Sequence, residues 1–257
     1  MDTEAFIRDG YVVLRGAVDA DTAAACRELI WAALAARGVR AADRGSWPVL
    51  TEIADLDDGP FRAAGSAPAL VAACEELIGP GRYELPVDVG RALVIRFPAA
   101  GHRANAGYHI EGSFTGPDPA AAGYRVNVRS RDRGLLALFL LSEVTMADAP
   151  TRLVQGSHLY VPEFLAPYGE AGTNSDDEFW RPSVLCRPVV HATGQAGDVF
   201  LCHPFIVHTA TWPHTGTGPR MMAQPAVPMD AGFALDGSDP APVARAIVAG
   251  LELAEAD

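Results

Sequence analysis

The sequence contains no lysine: all 20 of its basic residues are arginine. Chemistry that needs an amine side chain is therefore excluded, namely a Schiff-base lysine, a pyridoxal-phosphate anchor and the lysine of a phosphate-binding P-loop. We attribute the absence to the base composition of the genome. It removes several classes of enzyme without favouring any of the remaining ones.

Positive charge is scarce as well, because 32 acidic residues outweigh the arginines and the formal net charge is −12. This charge argues against a nucleic-acid partner, whose phosphates need a basic surface, and more weakly against anionic membranes and highly anionic substrates. No apolar run reaches transmembrane length, and the acidic start "MDTEAFIRDG" is unlike a signal peptide. We therefore expect a soluble, cytoplasmic protein with a small-molecule substrate.

Cysteine is rare, with four residues and no Cys-x-x-Cys pair. Their spacing fits neither a disulfide framework nor a zinc finger. We expect buried thiols in a reducing compartment at all four positions, Cys26, Cys74, Cys186 and Cys202.

What the chain does contain is an ordinary globular composition, with 49% hydrophobic and 20% charged residues among 257. Helical patterns dominate the first third, and short strands broken by Gly, Pro and Asp follow. The apolar run at 135–144 is compatible with a buried strand or a buried helix. We predict a single α+β domain, with helices at about 1–85, a β-sandwich or barrel core at about 86–230 and a C-terminal helix at about 240–255.

The stretch "GYHIEGSF" places His109 and Glu111 two positions apart. On a strand, residues i and i+2 face the same way, so the imidazole and the carboxylate converge. Two histidines and one carboxylate suit Fe(II) and leave coordination positions open. A surface strand is the alternative, because His-x-Glu arises often by chance.

A third ligand must come from far along the chain, where "GDVFLCHPFIVHTATWPHTGTGPR" offers three histidines, His203, His208 and His214. Arg220 ends this segment, and a fixed guanidinium there could hold a dicarboxylate by a bidentate salt bridge. The alternative for Arg220 is a surface arginine at the start of a strand. Of the remaining histidines, His102 is expected in a solvated loop, His158 in a turn contact and His191 on a strand face.

Four stretches carry a resemblance to a known family: "FIRDGYVVLRGAV", "YHIEGSF", "LSEVTMADAPTRLVQGSHL" and "AGDVFLCHPFIVHTATWPHTGTGPR". In order and spacing they resemble the phytanoyl-CoA dioxygenase family of Fe(II)/2-oxoglutarate-dependent oxygenases. The resemblance covers residues 5–227 and implies a double-stranded β-helix, or jelly-roll, core buttressed by the N-terminal helices. It also implies Fe(II), 2-oxoglutarate and O₂ as cofactor and cosubstrates.

Residue by residue, the resemblance makes His109, Glu111 and His208 the iron ligands. It makes Arg220 the partner of the far carboxylate of 2-oxoglutarate. It also implies a hydroxyl group beside the cosubstrate, shortly after the distal histidine, for which Thr211 is the first candidate and Thr209 the second. Arg96 is a candidate for an arginine that faces the pocket. His203 is expected to support the ligand residues from behind or to be structural, and His214 is not expected to be a ligand.

The chain departs from the family pattern at a few positions. The carboxylate is Glu111 where the family usually has Asp; it keeps an oxygen ligand and argues against a halogenase. Asp148-Ala149 stands where the family usually has Asn-Gly, and Gln155 replaces a Pro. We interpret these last changes as structural drift.

The resemblance implies oxidation of an unactivated C–H bond of a small molecule, in specialised metabolism. A CoA thioester is an unpromising substrate for so acidic a chain. Loops expected at 99–106, 115–133 and 168–182 would set the choice of substrate. The arginines of the second loop, Arg125, Arg129, Arg131 and Arg133, are expected in solvent rather than in a site for an acidic group. A cupin-like metalloenzyme without 2-oxoglutarate and a non-catalytic binding protein are the alternatives.

Overall fold

The structure is a computed structural model that describes residues 1–57, 59–100, 107–116, 123–174 and 182–256. It combines helices with antiparallel sheets, which confirms the α+β class. Over the described ranges, no helix is both long and apolar enough to cross a membrane.

The helices are numbered α1 to α7 along the described chain. They are Thr3–Asp9, Ala20–Ala36, Gly59–Gly65, Pro68–Ile78, Pro162–Leu165, Pro182–Leu185 and Pro242–Ala256. The strands are numbered β1 to β13 in the same way. They are Tyr11–Leu14, Leu50–Ile53, Leu93–Arg96, Phe114–Thr115, Tyr124–Val126, Leu135–Leu140, Arg152–Val154, Thr173–Asn174, Val189–His191, Val199–Cys202, His208–Thr209, Arg220–Ala223 and Ala226–Val227.

The first helices begin and end where the sequence places capping residues. The Asp2 side chain accepts a hydrogen bond from the Ala5 N–H at 2.9 Å, and Gly10 ends α1 with a φ of +84°. The Asp19 side chain caps α2 in the same way. Side-chain caps satisfy free N–H groups, and glycine adopts the left-handed conformation at low cost. Local sequence therefore determines these boundaries.

The strands form three antiparallel sheets. The largest has the order β1-β10-β6-β12-β3-β2, with β13 also paired to β6. A second sheet has the order β11-β7-β9, and a third has the order β4-β5-β8. β11 and β12, which follow one another in the chain, thus lie in different sheets.

Strand β6 resolves the ambiguity left by the apolar run at 135–144. All six of its residues are buried. Its odd-numbered side chains join the core beneath the helices, and its even-numbered ones join a second core with Leu153 of β7. A strand buried on both faces loses the alternation that would identify it as a strand.

The described parts of two expected loops are more ordered than predicted, whereas their residues 117–122 and 175–181 lie outside the described ranges. The 168–182 stretch contains the end of a 3₁₀ helix and strand β8, and the 115–133 stretch contains β5. In both, backbone pairing with a neighbouring strand supplies hydrogen bonds that a free loop would lack. Most of the 99–106 loop lies outside the described residues.

The four cysteines are free thiols, and three of them are buried. Burial raises the pKa of Cys26 to about 11 and that of Cys74 to about 12. Cys186 is exposed, so the expectation of burial at that position is wrong. It follows helix α6 in a stretch without a strongly apolar pattern.

Candidate active site

Backbone pairing brings His109 and His208 together from distant parts of the chain. The N–H of each residue donates to the carbonyl oxygen of the other at 2.9 Å. Directly opposed residues of an antiparallel pair send their side chains to the same face. The two imidazole rings consequently meet, with centroids 4.4 Å apart.

The same local contact orients both rings. The Nδ1 of His109 lies 3.0 Å from the carbonyl oxygen of Gly107, and the Nδ1 of His208 lies 3.1 Å from that of Ile206. A carbonyl oxygen only accepts, so we assign the hydrogen to Nδ1 in both rings. Nε2 is then the nitrogen left for a metal, and the carbonyls hold the rings as outer partners hold metal-binding histidines.

Glu111 completes a group of three ligand atoms. Its Oε1 lies 3.2 Å from the Nε2 of His208 and 3.8 Å from that of His109. All three ligand atoms lie within 4.8 Å of one another. An ion with bonds of about 2.1 Å needs neighbouring ligand atoms about 3 Å apart, so the site is close to the required size. The donor set is that of a two-histidine, one-carboxylate iron site.

Glu111 is held in its charged form. Burial raises its pKa, but a hydrogen bond from a protonated His208 Nε2 and the charges of His208, Arg133 and His109 outweigh burial and bring the pKa to about 2. A metal ion would take the place of that Nε2 proton. An ionised carboxylate is an acceptor only, which is the state a metal ligand requires.

Arg220 begins β12 and is not the surface arginine of the alternative interpretation, since only 1% of the residue is exposed. Its NH1 donates to the carbonyl oxygen of Ala149. Its Nε and NH2 are buried, and neither has a hydrogen-bond partner among the described residues. This free edge of the guanidinium matches the two oxygens of a carboxylate.

Arg96 lies directly across from Arg220 in the pairing of β3 with β12. Burial lowers the pKa of Arg96 to about 10; burial and the charge of Arg96 both lower the pKa of Arg220. The Nε of Arg96 is also buried without a partner in the described chain. The buried Arg220 and the partly buried Arg96, both with unused buried donors, form a cradle for an anion.

Two further polar atoms, Thr211 Oγ1 and His214 Nε2, are buried and have no hydrogen-bond partner within the described ranges. Thr211 belongs to this region because its carbonyl oxygen accepts from Arg96 NH1 at 3.2 Å. The Oγ1 of Thr209 instead lies 3.5 Å from the Ala210 carbonyl oxygen. Between the two candidate threonines, the geometry thus favours Thr211.

His214 does not belong to the group of three ligand residues found in the described chain. Its Nδ1 accepts from the Gly216 N–H at 3.2 Å, so in the neutral ring Nε2 carries the hydrogen and is a donor. Burial lowers the pKa of His214, as does the charge of Arg220. Its position between His208 and Arg220 in the chain was the available signal that it lies in this region.

A cavity of about 610 Å³ is lined by two of the three ligand residues, His109 and Glu111. Arg133 lines it, and the prediction of a solvated arginine is wrong at this position. Its NH2 donates to the Gly112 carbonyl oxygen at 2.8 Å, whereas Nε and NH1 are buried without described partners. Arg129 and Arg131 fit the prediction better, with 43% and 51% of their side chains exposed. Arg125 is partly buried and donates to the carbonyl oxygens of residues 171 and 172.

The other histidines lie away from these groups. His203 is fully buried, with its Nε2 on the Val243 carbonyl oxygen at 3.3 Å, as expected for a structural residue. His158 is also buried, against His203, and His191 lies on β9. His102 lies outside the described residues.

Solved structures of similar fold include three enzymes. SnoK, a non-heme alpha-ketoglutarate-dependent carbocyclase from nogalamycin biosynthesis, is 18% identical over 89% of this chain and 82% of its own, with a TM-score of 0.56. The epimerase SnoN, solved with Fe³⁺, alpha-ketoglutarate and nogalamycin RO, is 23% identical over 89% and 82%, with a TM-score of 0.54. HygX from Streptomyces hygroscopicus, solved with nickel, 2-oxoglutarate and hygromycin B, is 16% identical over 86% and 83%, with a TM-score of 0.51.

No curated protein matches the chain in sequence. The family model for phytanoyl-CoA dioxygenase, in contrast, matches residues 6–222. This span includes the three ligand residues, the arginine cradle and most of the cavity lining, which ends at residues 224–226 just beyond it. The match confirms the resemblance seen in the sequence, and the chain belongs to the phytanoyl-CoA dioxygenase family.

Proposed function

We propose that the protein is an Fe(II)/2-oxoglutarate-dependent oxygenase that oxidises an unactivated C–H bond of a small molecule in specialised metabolism. Membership of the family supports the oxygenase class. One observation supports 2-oxoglutarate as the cosubstrate: Arg220, on the strand that follows the His208 segment, has a buried guanidinium edge without a partner among the described residues. Within those residues, its guanidinium donates to the Ala149 carbonyl oxygen alone.

In this proposal His109, Glu111 and His208 hold Fe(II) through two Nε2 atoms and one carboxylate oxygen. The carbonyl oxygens of Gly107 and Ile206 keep the two rings turned toward the ion. Three protein ligands on one face leave the opposite positions for the cosubstrate and O₂. With these partners bound, the iron supplies the oxidation of the C–H bond while 2-oxoglutarate is converted to succinate and CO₂.

Arg220 would pair its Nε–NH2 edge with the far carboxylate of 2-oxoglutarate. Arg96 would add a second positive charge, and the Thr211 hydroxyl would donate to the same carboxylate. A bidentate pair with a carboxylate satisfies donors that are otherwise buried and unused, at a gain of about 1.5–3 kcal/mol for each charged hydrogen bond. The chain thereby fixes the orientation of the cosubstrate and excludes water from its far end.

The double-stranded β-helix is the arrangement of strands that we propose for the core. Strands β6, β10 and β12 lie in the largest sheet, whereas β7, β9 and β11 lie in the second sheet. The chain therefore alternates between these two sheets. Leu153 of β7 shares a core with side chains of β6 and β10, so the two sheets face each other. We further propose that the chain acts as one domain, and that it works in the reducing cytoplasm, as its free thiols favour.

The first experiment is an anaerobic titration. Purified protein receives Fe(II) and then 2-oxoglutarate, and the visible spectrum is recorded. We expect a weak metal-to-ligand charge-transfer band that is absent in His109→Ala and weakened in Arg220→Ala. His191→Ala, which removes a strand histidine outside the site, should keep the band.

Two other outcomes would reject the proposal in different ways. Bound iron without a band in the wild-type protein would indicate a cupin-like metalloenzyme that does not use 2-oxoglutarate. A protein that binds no iron at all would be a non-catalytic binding protein on the same fold.

A further inference from the structure

The cavity beside the ligand residues contains one basic side chain in its described lining, Arg133, and one acidic side chain, Glu111. The remainder of that lining is apolar or uncharged and includes Ile110, Ser113 and Tyr124. At about 610 Å³, the cavity is large enough for a drug-sized molecule. Its charged groups are therefore the features that can select one molecule over another.

Arg133 has donors that nothing in the described chain uses. One of its nitrogens, NH2, is fixed on the Gly112 carbonyl oxygen at 2.8 Å, which anchors the guanidinium next to the Glu111 segment. The Nε and NH1 atoms have no exposed surface and no described partner. Burying the N–H donors of a cation has a high desolvation cost unless each donor forms a hydrogen bond with an acceptor.

Glu111 does not serve as that acceptor when it binds a metal. Its Oε1 points to the Nε2 atoms of His208 and His109, at 3.2 Å and 3.8 Å. A divalent cation between these atoms takes up the charge of the carboxylate. Arg133 then faces the cavity without a counter-ion in the described lining, and an entering anion can supply one.

We propose that Arg133 positions the substrate by binding a single carboxylate that the substrate carries. One guanidinium can neutralise one negative charge, whereas a phosphate monoester brings nearly two. The proposal deepens the oxygenase function proposed above and rests on it, because it names the class of molecule that the same site accepts.

The neighbourhood of Arg133 makes this role specific. Arg131, two residues earlier, stacks over the Phe114 ring at 4.7 Å and pairs with Asp132 at 3.6 Å, with half of its side chain exposed. It therefore already has partners, and it does not line the cavity. Arg131→Gln removes the same charge from the same segment and is a matched control.

The test is an equilibrium titration of the anaerobic Fe(II)·2-oxoglutarate protein. The probes are benzoate, 2-naphthoate and cyclohexanecarboxylate, each with its methyl ester, together with phenyl phosphate. Binding is followed by calorimetry and by the change in the charge-transfer band. We expect at least one acid to bind about 10- to 100-fold more tightly than its ester, the range of charge-assisted hydrogen bonds. Phenyl phosphate should bind more weakly than benzoate.

Variants separate Arg133 from other causes of acid preference. Arg133→Gln should lose the preference and retain its affinity for 2-oxoglutarate, Arg133→Lys should recover part of it, and Arg131→Gln should keep it. A preference that survives in Arg133→Gln, esters that bind as well as acids, or a panel in which no acid binds would each overturn the proposal. A fall in 2-oxoglutarate affinity in Arg133→Gln would assign the residue to the cosubstrate instead.

Failure of the oxygenase function is recognised separately. A missing charge-transfer band in the wild-type protein rejects the cosubstrate. Calorimetry still reports on the acid and ester pairs in that case. An acid preference that depends on Arg133 would then support the carboxylate site on a protein with a different activity. If Arg133→Gln folds poorly, Arg133→Lys decides the assignment, because it keeps the charge but loses the planar pair of donors and should reduce the acid preference only in part.

Discussion

Two pairs of histidines lie at nearly the same spacing in this molecule, and they differ in every other respect. The rings of His109 and His208 are 4.4 Å apart, and those of His158 and His203 are 4.7 Å apart. In the first pair, both Nδ1 atoms donate to carbonyl oxygens and both Nε2 atoms turn toward Glu111.

In the second pair, the Nε2 atoms are already used. His158 Nε2 donates to the Ile7 carbonyl oxygen at 2.9 Å, and His203 Nε2 donates to that of Val243 at 3.3 Å. Burial lowers the pKa of His158 to about 4, and burial also lowers that of His203. The difference teaches that proximity of imidazoles does not make a metal site. The Nδ1 of His158 also lacks a partner in the described chain, so a free nitrogen is not sufficient either. Free nitrogens that converge with a charged carboxylate make the site, and among the described residues only the first pair has one.

The largest expected effect comes from removing one ligand. His208→Ala should weaken Fe(II) binding about 1000-fold, beyond the 10–100-fold that loss of a hydrogen-bonding partner of a ligand typically costs. Competition with a fluorescent chelator under anaerobic conditions measures the affinity. An affinity in His208→Ala equal to that of the wild-type protein would place the metal elsewhere.

The loss of folding stability at low pH should depend on the second pair of histidines. Neutral His158 is favoured in the folded state, so its contribution to stability is complete above its unfolded pKa of about 6.5 and is lost as the pH falls toward 4. The stability lost through this residue is about 3 kcal/mol. Urea unfolding at pH 6.5 and 4.5 should show a smaller loss in His158→Gln. Equal losses in the two proteins would mean that other groups govern acid unfolding.

His203→Ala should produce the opposite phenotype to His208→Ala. It opens a cavity and leaves the Val243 carbonyl oxygen without its donor, so the free energy of unfolding should fall by about 2 kcal/mol. Fe(II) affinity should be unchanged. Loss of iron binding in a folded His203→Ala protein would break the distinction between the two pairs.

The smallest expected effect concerns the hydroxyl group of Thr211 rather than a histidine nitrogen. Thr211 Oγ1 is unused in the described chain, so Thr211→Val should leave stability unchanged. The affinity for 2-oxoglutarate should fall about fivefold, the value of one hydrogen bond near 1 kcal/mol. Thr209→Val is the companion variant, and it should affect 2-oxoglutarate less. A larger effect in Thr209→Val would reverse the assignment.

Sequence patterns were sufficient for much of the site. The i, i+2 spacing of His109 and Glu111 predicts convergence, and the distances between their side chains agree with it. The choice of His208 over His203 and His214 needed the family resemblance, because only long-range backbone pairing brings His208 next to His109. No local pattern encodes that pairing.

Other features lay beyond local patterns. Strand β6 is buried on both faces, so its sequence has no alternation. Arg133 lies among other arginines, and a run of arginines predicts solvent-exposed side chains. Which of these arginines is buried depends on the distant segment that covers it, and the local sequence does not show that segment. Ala149 was interpreted as drift from glycine. It adopts a left-handed conformation with a φ of +52°, which costs alanine about 1–2 kcal/mol, and its carbonyl oxygen receives Arg220.

The paired backbone bonds between His109 and His208 have a consequence for what a change of either side chain can reveal. Both hydrogen bonds, of 2.9 Å, join main-chain atoms, so neither depends on the imidazole rings. Replacing one ring by a smaller side chain therefore removes a ligand atom and keeps the donors and acceptors that pair the two segments. A loss of metal binding in such a variant reports on the ligand set rather than on the pairing of the backbone.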